Sequence, residues 1–314
     1  MRGCRATLFL VVTAVLLGCG GGGTASPEDS RPRVVATTTI VGDLVRTVGG
    51  PEIRLQVLMG AGIDPHLYKA SAGDVRRMSS AQAIFYNGLH LEGRMTEVLE
   101  QMGGRGARTI AVGECLPAGK LITSSGFSGI HDPHVWFDVG LWAVATGCVA
   151  EALAELDPPH ADVFRKRGRT HLARLTALDR WVRERAEDLA PEERVLVTAH
   201  DAFAYFGRAY GFEVRGLLGV STASEAGTSD VTELAAFIVE RRIPAIFVET
   251  SVPPRYVEAL EEAVNARGFA VEIGGSLYSD SLGNPGTPAG SYEGTVRANV
   301  GTIVSALAGD PEGE

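Results

Sequence analysis

From Arg33 onward, short apolar runs rich in β-branched residues alternate with longer stretches of helical period. In the first half the runs at 34–38, 54–58, 83–86 and 109–112 are predicted as strands, and in the second half those at 195–198, 213–217, 245–248 and 270–273. Helix-length intervals separate them, which is the pattern of βαβ units. Each half is therefore predicted to hold a four-stranded, mainly parallel sheet flanked by helices, an α/β fold.

Between the halves, residues 158–189 carry no turn cluster. Val163, Leu172, Leu175, Leu178, Trp181, Val182 and Leu189 recur there at three- and four-residue steps beside many arginines. The spacing predicts one helical rod of about 48 Å, long enough to run along both halves. Gly168 is its weak point, where a break is expected if there is one. The arginines (Arg165, Arg167, Arg169, Arg174, Arg180, Arg183, Arg185) read as a solvated face rather than a polyanion site, and His160 and His171 are assigned to the exposed surface of this rod. Further helices are predicted from Asp138 as a cap to about 156, from Pro254 to about 266, and over 293–307.

The 314 residues favour two domains over one, and 45% hydrophobic with 21% charged residues excludes a disordered or coiled-coil chain. A formal charge of −9 repels phosphate backbones, so no nucleic acid is expected as a partner. The first residues change the picture more. Arg2 and Arg5 precede an apolar run at 8–17 that is too short to span a membrane and ends in Leu16-Leu17-Gly18-Cys19, the layout of an export signal. Gly18-Cys19 resembles a bacterial lipobox, which makes Cys19 the expected lipidated N-terminus and the Gly- and Pro-containing stretch after it a flexible tether. Of four cysteines, Cys4 falls in the leader and Cys19 is the anchor. For Cys115 and Cys148, the apolar run around Cys148 favours a buried, unpaired thiol over a disulfide.

In open parallel sheets, ligands bind beyond the carboxyl ends of the strands. Four residues stand there: His66 in Asp64-Pro65-His66 after the second strand, His134 in Asp132-Pro133-His134 after the fourth, His200 directly after the fifth and Asp280 after the eighth. Taken singly, each would more often be a turn or core residue. Three imidazoles and a carboxylate at matching strand ends instead suit a closed tetrahedral site for zinc or a similar divalent ion. Proline before each of the first two histidines fixes the backbone there and removes a competing donor. Asp64, Asp201 and Glu249 lie close enough to orient the imidazoles, with ordinary capping as the equal alternative. His131 is expected to face solvent, with assistance in metal capture as the other reading, and His90 to pack beneath the site.

The stretches Asn87-Gly88-Leu89-His90-Leu91-Glu92, Asp132-Pro133-His134-Val135-Trp136, 198–211, Ser221-Thr222-Ala223-Ser224-Glu225 and Gly274-Gly275-Ser276-Leu277-Tyr278-Ser279-Asp280 together closely resemble the metal-binding receptors of bacterial zinc and manganese ABC importers, the TroA and ZnuA type. The resemblance runs from about Val34 to Leu307. It implies two lobes joined by one rigid helix in a C-shaped clamp, with the metal between them on His66, His134, His200 and Asp280. It also implies an ABC permease as partner and an exported, membrane-anchored lipoprotein, expected as a monomer. The boundaries expected are a signal peptide over 1–18, Cys19 and tether over 19–32, lobes over 33–157 and 191–314, and the linking helix over 158–190. The third ligand is Glu in many manganese receptors of this type and His in TroA-like and zinc-type ones. The histidine-rich loop common before the second ligand in zinc receptors is missing from 117–130, so zinc and manganese both stay open as cargo.

Two other classes compete. A zinc hydrolase needs an open coordination position and a general base, whereas four protein donors fill a tetrahedron and no His-Glu-x-x-His is present. A surface adhesin needs no converging ligands.

Overall fold

A computed structural model describes residues 30–123 and 131–309. The predicted leader, Cys19 and the tether as far as residue 29 lie outside the described residues. The first lobe is built from β1 (Arg33–Ala36), α1 (Thr39–Gly49), β2 (Arg54–Val57), α2 (Ala72–Ser80), β3 (Ala83–Tyr86), α3 (Thr96–Gly104) and β4 (Arg108–Ala111), followed by α4 (Val139–Leu156). After α5 (Ala161–Ala186) come β5 (Val195–His200), α6 (Ala204–Tyr210), β6 (Glu213–Leu218), α7 (Thr228–Arg241), β7 (Ala245–Glu249), α8 (Arg255–Asn265), β8 (Glu272–Leu277) and α9 (Tyr292–Leu307).

The sheet orders are β2-β1-β3-β4 and β6-β5-β7-β8, with all pairs parallel. The two lobes thus repeat one topology, and the expected α/β class with four strands in each sheet holds. Strands buried on both faces read as continuous apolar runs, and β5, buried at every residue, is the clearest case. β8 lies later than the pattern at 270–273 predicted. Gly274 and Gly275 hide it, because a glycine pair argues against a strand. A Cβ at Gly274 would sit 2.6 Å from Ala306 Cβ on α9 and 2.9 Å from Ala245 Cβ on β7, so only glycine lets helix and strand approach this closely.

Of three hydrophobic clusters among the described residues, one belongs to each lobe alone and the largest spans both. Trp136, Phe137 and Trp142 from the first half share it with Phe203, Tyr205, Phe206 and Tyr292 from the second. α5 joins the lobes by packing on α1 and α4 on one side and on α9 on the other. Its 26 residues run on from a short turn, Pro158–His160, in which proline supplies preorganised helical φ.

The single rod holds, while two other expectations about these helices fail. α5 does not break at Gly168; a Cβ there would lie 2.9 Å from Ala150 Cβ, so the glycine sets the spacing to α4. The buried stripe of α5 is Phe164, Gly168, His171, Leu175, Leu178, Val182 and Ala186, so His171 is buried at 8% exposure while Leu172 is exposed. Cys115 and Cys148 form a disulfide, with Cα atoms 6.2 Å apart. The apolar run around Cys148 suggested uniform burial, but it is helical, so Val144 and Gly147 turn outward, Cys148 is half-buried and Cys115 is exposed. The arginine face behaves as a solvated surface: Arg165, Arg167, Arg183 and Arg185 pair with Glu151, Glu52, Asp179 and Asp188.

Candidate metal centre

His66 lies in the loop after β2, His134 in the long connection after β4, His200 is the last residue of β5, and Asp280 follows β8. The fold gathers all four, buried, with their ligand atoms within 4.8 Å of one another. His134 Nε2 lies 3.3 Å from His66 Nε2, 3.4 Å from His200 Nε2 and 3.4 Å from Asp280 Oδ1, and His200 Nε2 lies 3.5 Å from Asp280 Oδ2. Donors placed about 2.0–2.1 Å from a tetrahedral zinc have edges of about 3.3–3.4 Å between them.

The partners of the other ring nitrogens show which way the lone pairs point. His134 donates its Nδ1 proton to Asp132 Oδ1 at 2.7 Å, and the same oxygen accepts the His134 backbone N–H at 2.9 Å. His200 donates Nδ1 to Glu249 Oε2 at 2.6 Å and its backbone N–H to Oε1 at 2.8 Å, a two-point grip made possible because β5 and β7 are neighbours. In the neutral rings both Nε2 atoms therefore present lone pairs to each other, which repel unless a cation, a proton or a metal ion, lies between them. Asp280 Oδ1 is buried without a hydrogen-bond partner among the described residues, while Oδ2 accepts from Ser251 Oγ at 3.2 Å. Trp136 stacks edge-on against the His134 ring, 5.3 Å between centroids, and donates Nε1 to the Ser279 carbonyl at 3.1 Å, fixing the start of the Asp280 loop.

This concentration of carboxylates attracts positive charge. Burial alone would lower His134, but the Asp132 and Asp280 carboxylates outweigh it and its pKa is pushed up to about 9. His200 is raised well above its ordinary value against the same burial, by Glu249 and Asp280. Burial would raise Asp280, yet the imidazoles, His200 foremost, hold it well below the usual carboxylate range. His66 goes the other way: burial pushes it down to about 3, and Asp280 offsets only part of that.

The residues expected to orient imidazoles divide. Glu249 grips His200. Asp64 accepts the His66 backbone N–H at 2.8 Å rather than a ring proton. Asp201, half-buried, makes no hydrogen bond to any of the three imidazoles among the described residues. His131 is half-buried rather than solvent-facing and does not join the cluster; its Nδ1 has no partner among the described residues. His90 is exposed at φ +66° in the turn after β3 instead of packing under the site. Its neighbours take that role. Glu92 accepts from Thr37 Oγ1 (2.7 Å) and from the N–H groups of Asn87 (2.8 Å) and Gly88 (3.1 Å), and Asn87 Nδ2 donates to the Pro133 carbonyl at 3.0 Å. That network buttresses the His134 turn. Asp132 is the functional residue that sequence reasoning missed, although its place two residues before a candidate histidine was a usable signal.

The model of the family described as zinc-uptake complex component A, periplasmic (ZnuA), matches residues 34–306. The zinc-binding protein TroA of Treponema pallidum is 50% identical over 281 residues, covering 89% of this chain and 90% of that protein. Its solved structure superposes with a TM-score of 0.85, covering 88% of this chain and 99% of that one. The manganese-binding lipoprotein MntA of Bacillus subtilis is 44% identical over 307 residues, 98% of this chain and all of that protein. The manganese ABC transporter substrate-binding lipoprotein PsaA of Streptococcus mitis is 27% identical, covering 96% of this chain and 98% of its own length. With a family model spanning both sheets and the helix between them, the chain belongs to the ZnuA family of periplasmic metal-uptake components.

Proposed function

We propose that this chain is the exported receptor of an ABC importer, which captures zinc or manganese between its lobes and delivers it to the membrane permease. The family consists of substrate-binding receptors rather than enzymes, and the relatives at 44–50% identity are named for zinc and manganese binding. His66, His134, His200 and Asp280 hold the ion in this reading, and Asp132 and Glu249 fix the two imidazoles that they back. The observation that carries it is the convergence of three imidazole nitrogens and a carboxylate within 4.8 Å of one another in a buried site. Four protein donors leave no open position for an activated water, which separates the site from a zinc hydrolase. Cys19 serves as the lipidated anchor and the protein acts as a monomer; the lipoprotein names of MntA and PsaA support the anchor.

Metal-stripped protein should bind one ion per chain, measured by elemental analysis after titration, and lose that stoichiometry when His200 is replaced by alanine. A nitrogen-rich donor set favours zinc over manganese on the usual divalent order, so zinc should win a competition titration, while a carboxylate able to use one or both oxygens lets manganese bind too. Manganese binding tighter than zinc would show that lobe geometry, not donor type, selects the cargo. Mass spectrometry of the membrane form should find diacylglycerol on Cys19 and none of residues 1–18.

A further inference from the structure

The His66 loop is fastened differently from the rest of the site. Around His134 the lobes are bound by buried groups: Tyr205 Oη donates to the Asp132 carbonyl (3.0 Å), Tyr292 Oη to the Trp136 carbonyl (2.6 Å) and Trp136 Nε1 to the Ser279 carbonyl (3.1 Å), within a shared apolar core. The loop carrying His66 crosses to the other lobe through two side-chain hydroxyls. Ser281 Oγ accepts from the Gly62 N–H at 2.8 Å, and Thr222 Oγ1 donates to Asp64 Oδ2 at 2.6 Å. Asp64 is thus divided between lobes: its other oxygen holds the His66 backbone N–H at 2.8 Å. Gly62 at φ +73° gives the loop a left-handed turn that favours glycine, and Ile63 and Leu67, on either side of Asp64, are among the few large apolar residues left exposed.

We propose that Thr222 is a positioning residue that latches the His66 loop across the lobes through Asp64, and that breaking the Thr222–Asp64 bond lets the loop lift His66 away and release the metal. The proposal rests on the reading of His66 as a ligand. It gives a task to the Ser221-Thr222-Ala223-Ser224-Glu225 stretch, which contributes no ligand. When the loop is open, water serves both Thr222 and Asp64, so their bond stabilises only the closed, metal-holding state. A hydrogen bond to a carboxylate at a partly buried position is worth about tenfold in that equilibrium. The latch therefore acts on departure of the ion and leaves capture by the open form unchanged.

The test is stopped-flow exchange on the full chain loaded with zinc, with excess chelator to read dissociation and metal-free protein mixed with zinc to read association. Thr222→Val, which keeps the shape and removes the hydroxyl, should dissociate about tenfold faster with an unchanged association rate, and Thr222→Ser should restore the parent rate. A loss of packing alone would not be rescued by serine, nor confined to dissociation. Equal dissociation rates for Thr222→Val and the parent would overturn the latch, as would an effect carried by association or a serine variant as fast as valine. His66→Ala separates the two ideas: weakened zinc binding there beside parent-like Thr222→Val rates rejects the latch alone. Parent-like binding in His66→Ala rejects the ligand assignment and the latch with it.

Discussion

Asp64-Pro65-His66 and Asp132-Pro133-His134 share a sequence and a turn: in each, the aspartate accepts the N–H of the histidine two residues on, at 2.8 and 2.9 Å. They then diverge. Asp132 uses the same oxygen for the ring of its own histidine, whereas Asp64 turns its second oxygen to Thr222 in the opposite lobe. His134 ends fully buried with its pKa pushed up to about 9, and His66 with its pKa pushed down to about 3. One tripeptide thus makes a histidine whose ring is gripped by its own aspartate at one place, and a histidine whose aspartate is shared with the opposite lobe at the other. On the reading proposed above, a receptor that must both hold its ion and surrender it divides those tasks between the two copies.

The largest effect expected is removal of a backed imidazole. His134→Ala or His200→Ala should weaken zinc binding by more than the ten- to hundredfold typical of losing an outer partner, read by competition with a chelating dye. Equal affinity in the parent and either variant would end the assignment.

Next comes pH. Ligation needs a neutral imidazole, so protons compete with metal at every pH below the raised pKa of His134. Zinc affinity should rise from pH 7 upward, by about tenfold per unit for each of His134 and His200 that still carries its extra proton. His66, already neutral throughout this window, adds nothing to the slope. A flat profile from pH 7 to 9 would remove the electrostatic half of the comparison.

Replacing Asp132 by asparagine sharpens it further. Affinity should fall about ten- to a hundredfold, and the pH slope should become shallower because the carboxylate that holds His134 up is gone. Asp64→Asn should leave the slope as it is, since Asp64 touches no ring nitrogen. Matching pH profiles for the two variants would show that the two aspartates do the same work.

The smallest effect on the site should follow reduction of Cys115–Cys148, which closes the stretch bearing His134 and not that bearing His66. Opening it frees the unfolded chain and should lower stability by about 3–4 kcal/mol, seen as a lower Tm, while zinc affinity changes less than tenfold. A larger loss of affinity would mean that the disulfide, and not Asp132, orients His134.

Much of this architecture is legible in the chain of residues alone. The central strands β1, β3, β5 and β7 follow from apolar runs because parallel strands buried on both faces leave an uninterrupted signal; the flanking β2, β4 and β6 show it in weaker form, and β8 is masked by the glycines that let α9 approach. Asp138 caps α4 as its position suggests, its side chain accepting the Leu141 N–H at 2.9 Å. His66, His134, His200 and Asp280 can be picked out because a strand end is a fixed point along the chain, and parallel sheets put such points on one edge. The helix faces are harder. A period of 3.6 is plain in α5, but apolar residues flank the buried stripe and leave its phase uncertain by one residue, which hides the burial of His171 and the closeness of Gly168 to α4.

The sequence by itself thus determined the elements, the parallel character of both sheets and the donor set, all of which depend on local spacing and on the chemistry of side chains at known places. The tertiary structure decided which carboxylate serves which imidazole, that Cys115 reaches Cys148, and that Asp64 belongs to Thr222. Glu249 and His200 stand 49 residues apart, and Asp64 and Thr222 158 apart. Contacts at such separations are set by how the two sheets and the helix between them pack, because a side chain's partner is whatever the packed core carries to within about 3 Å of it.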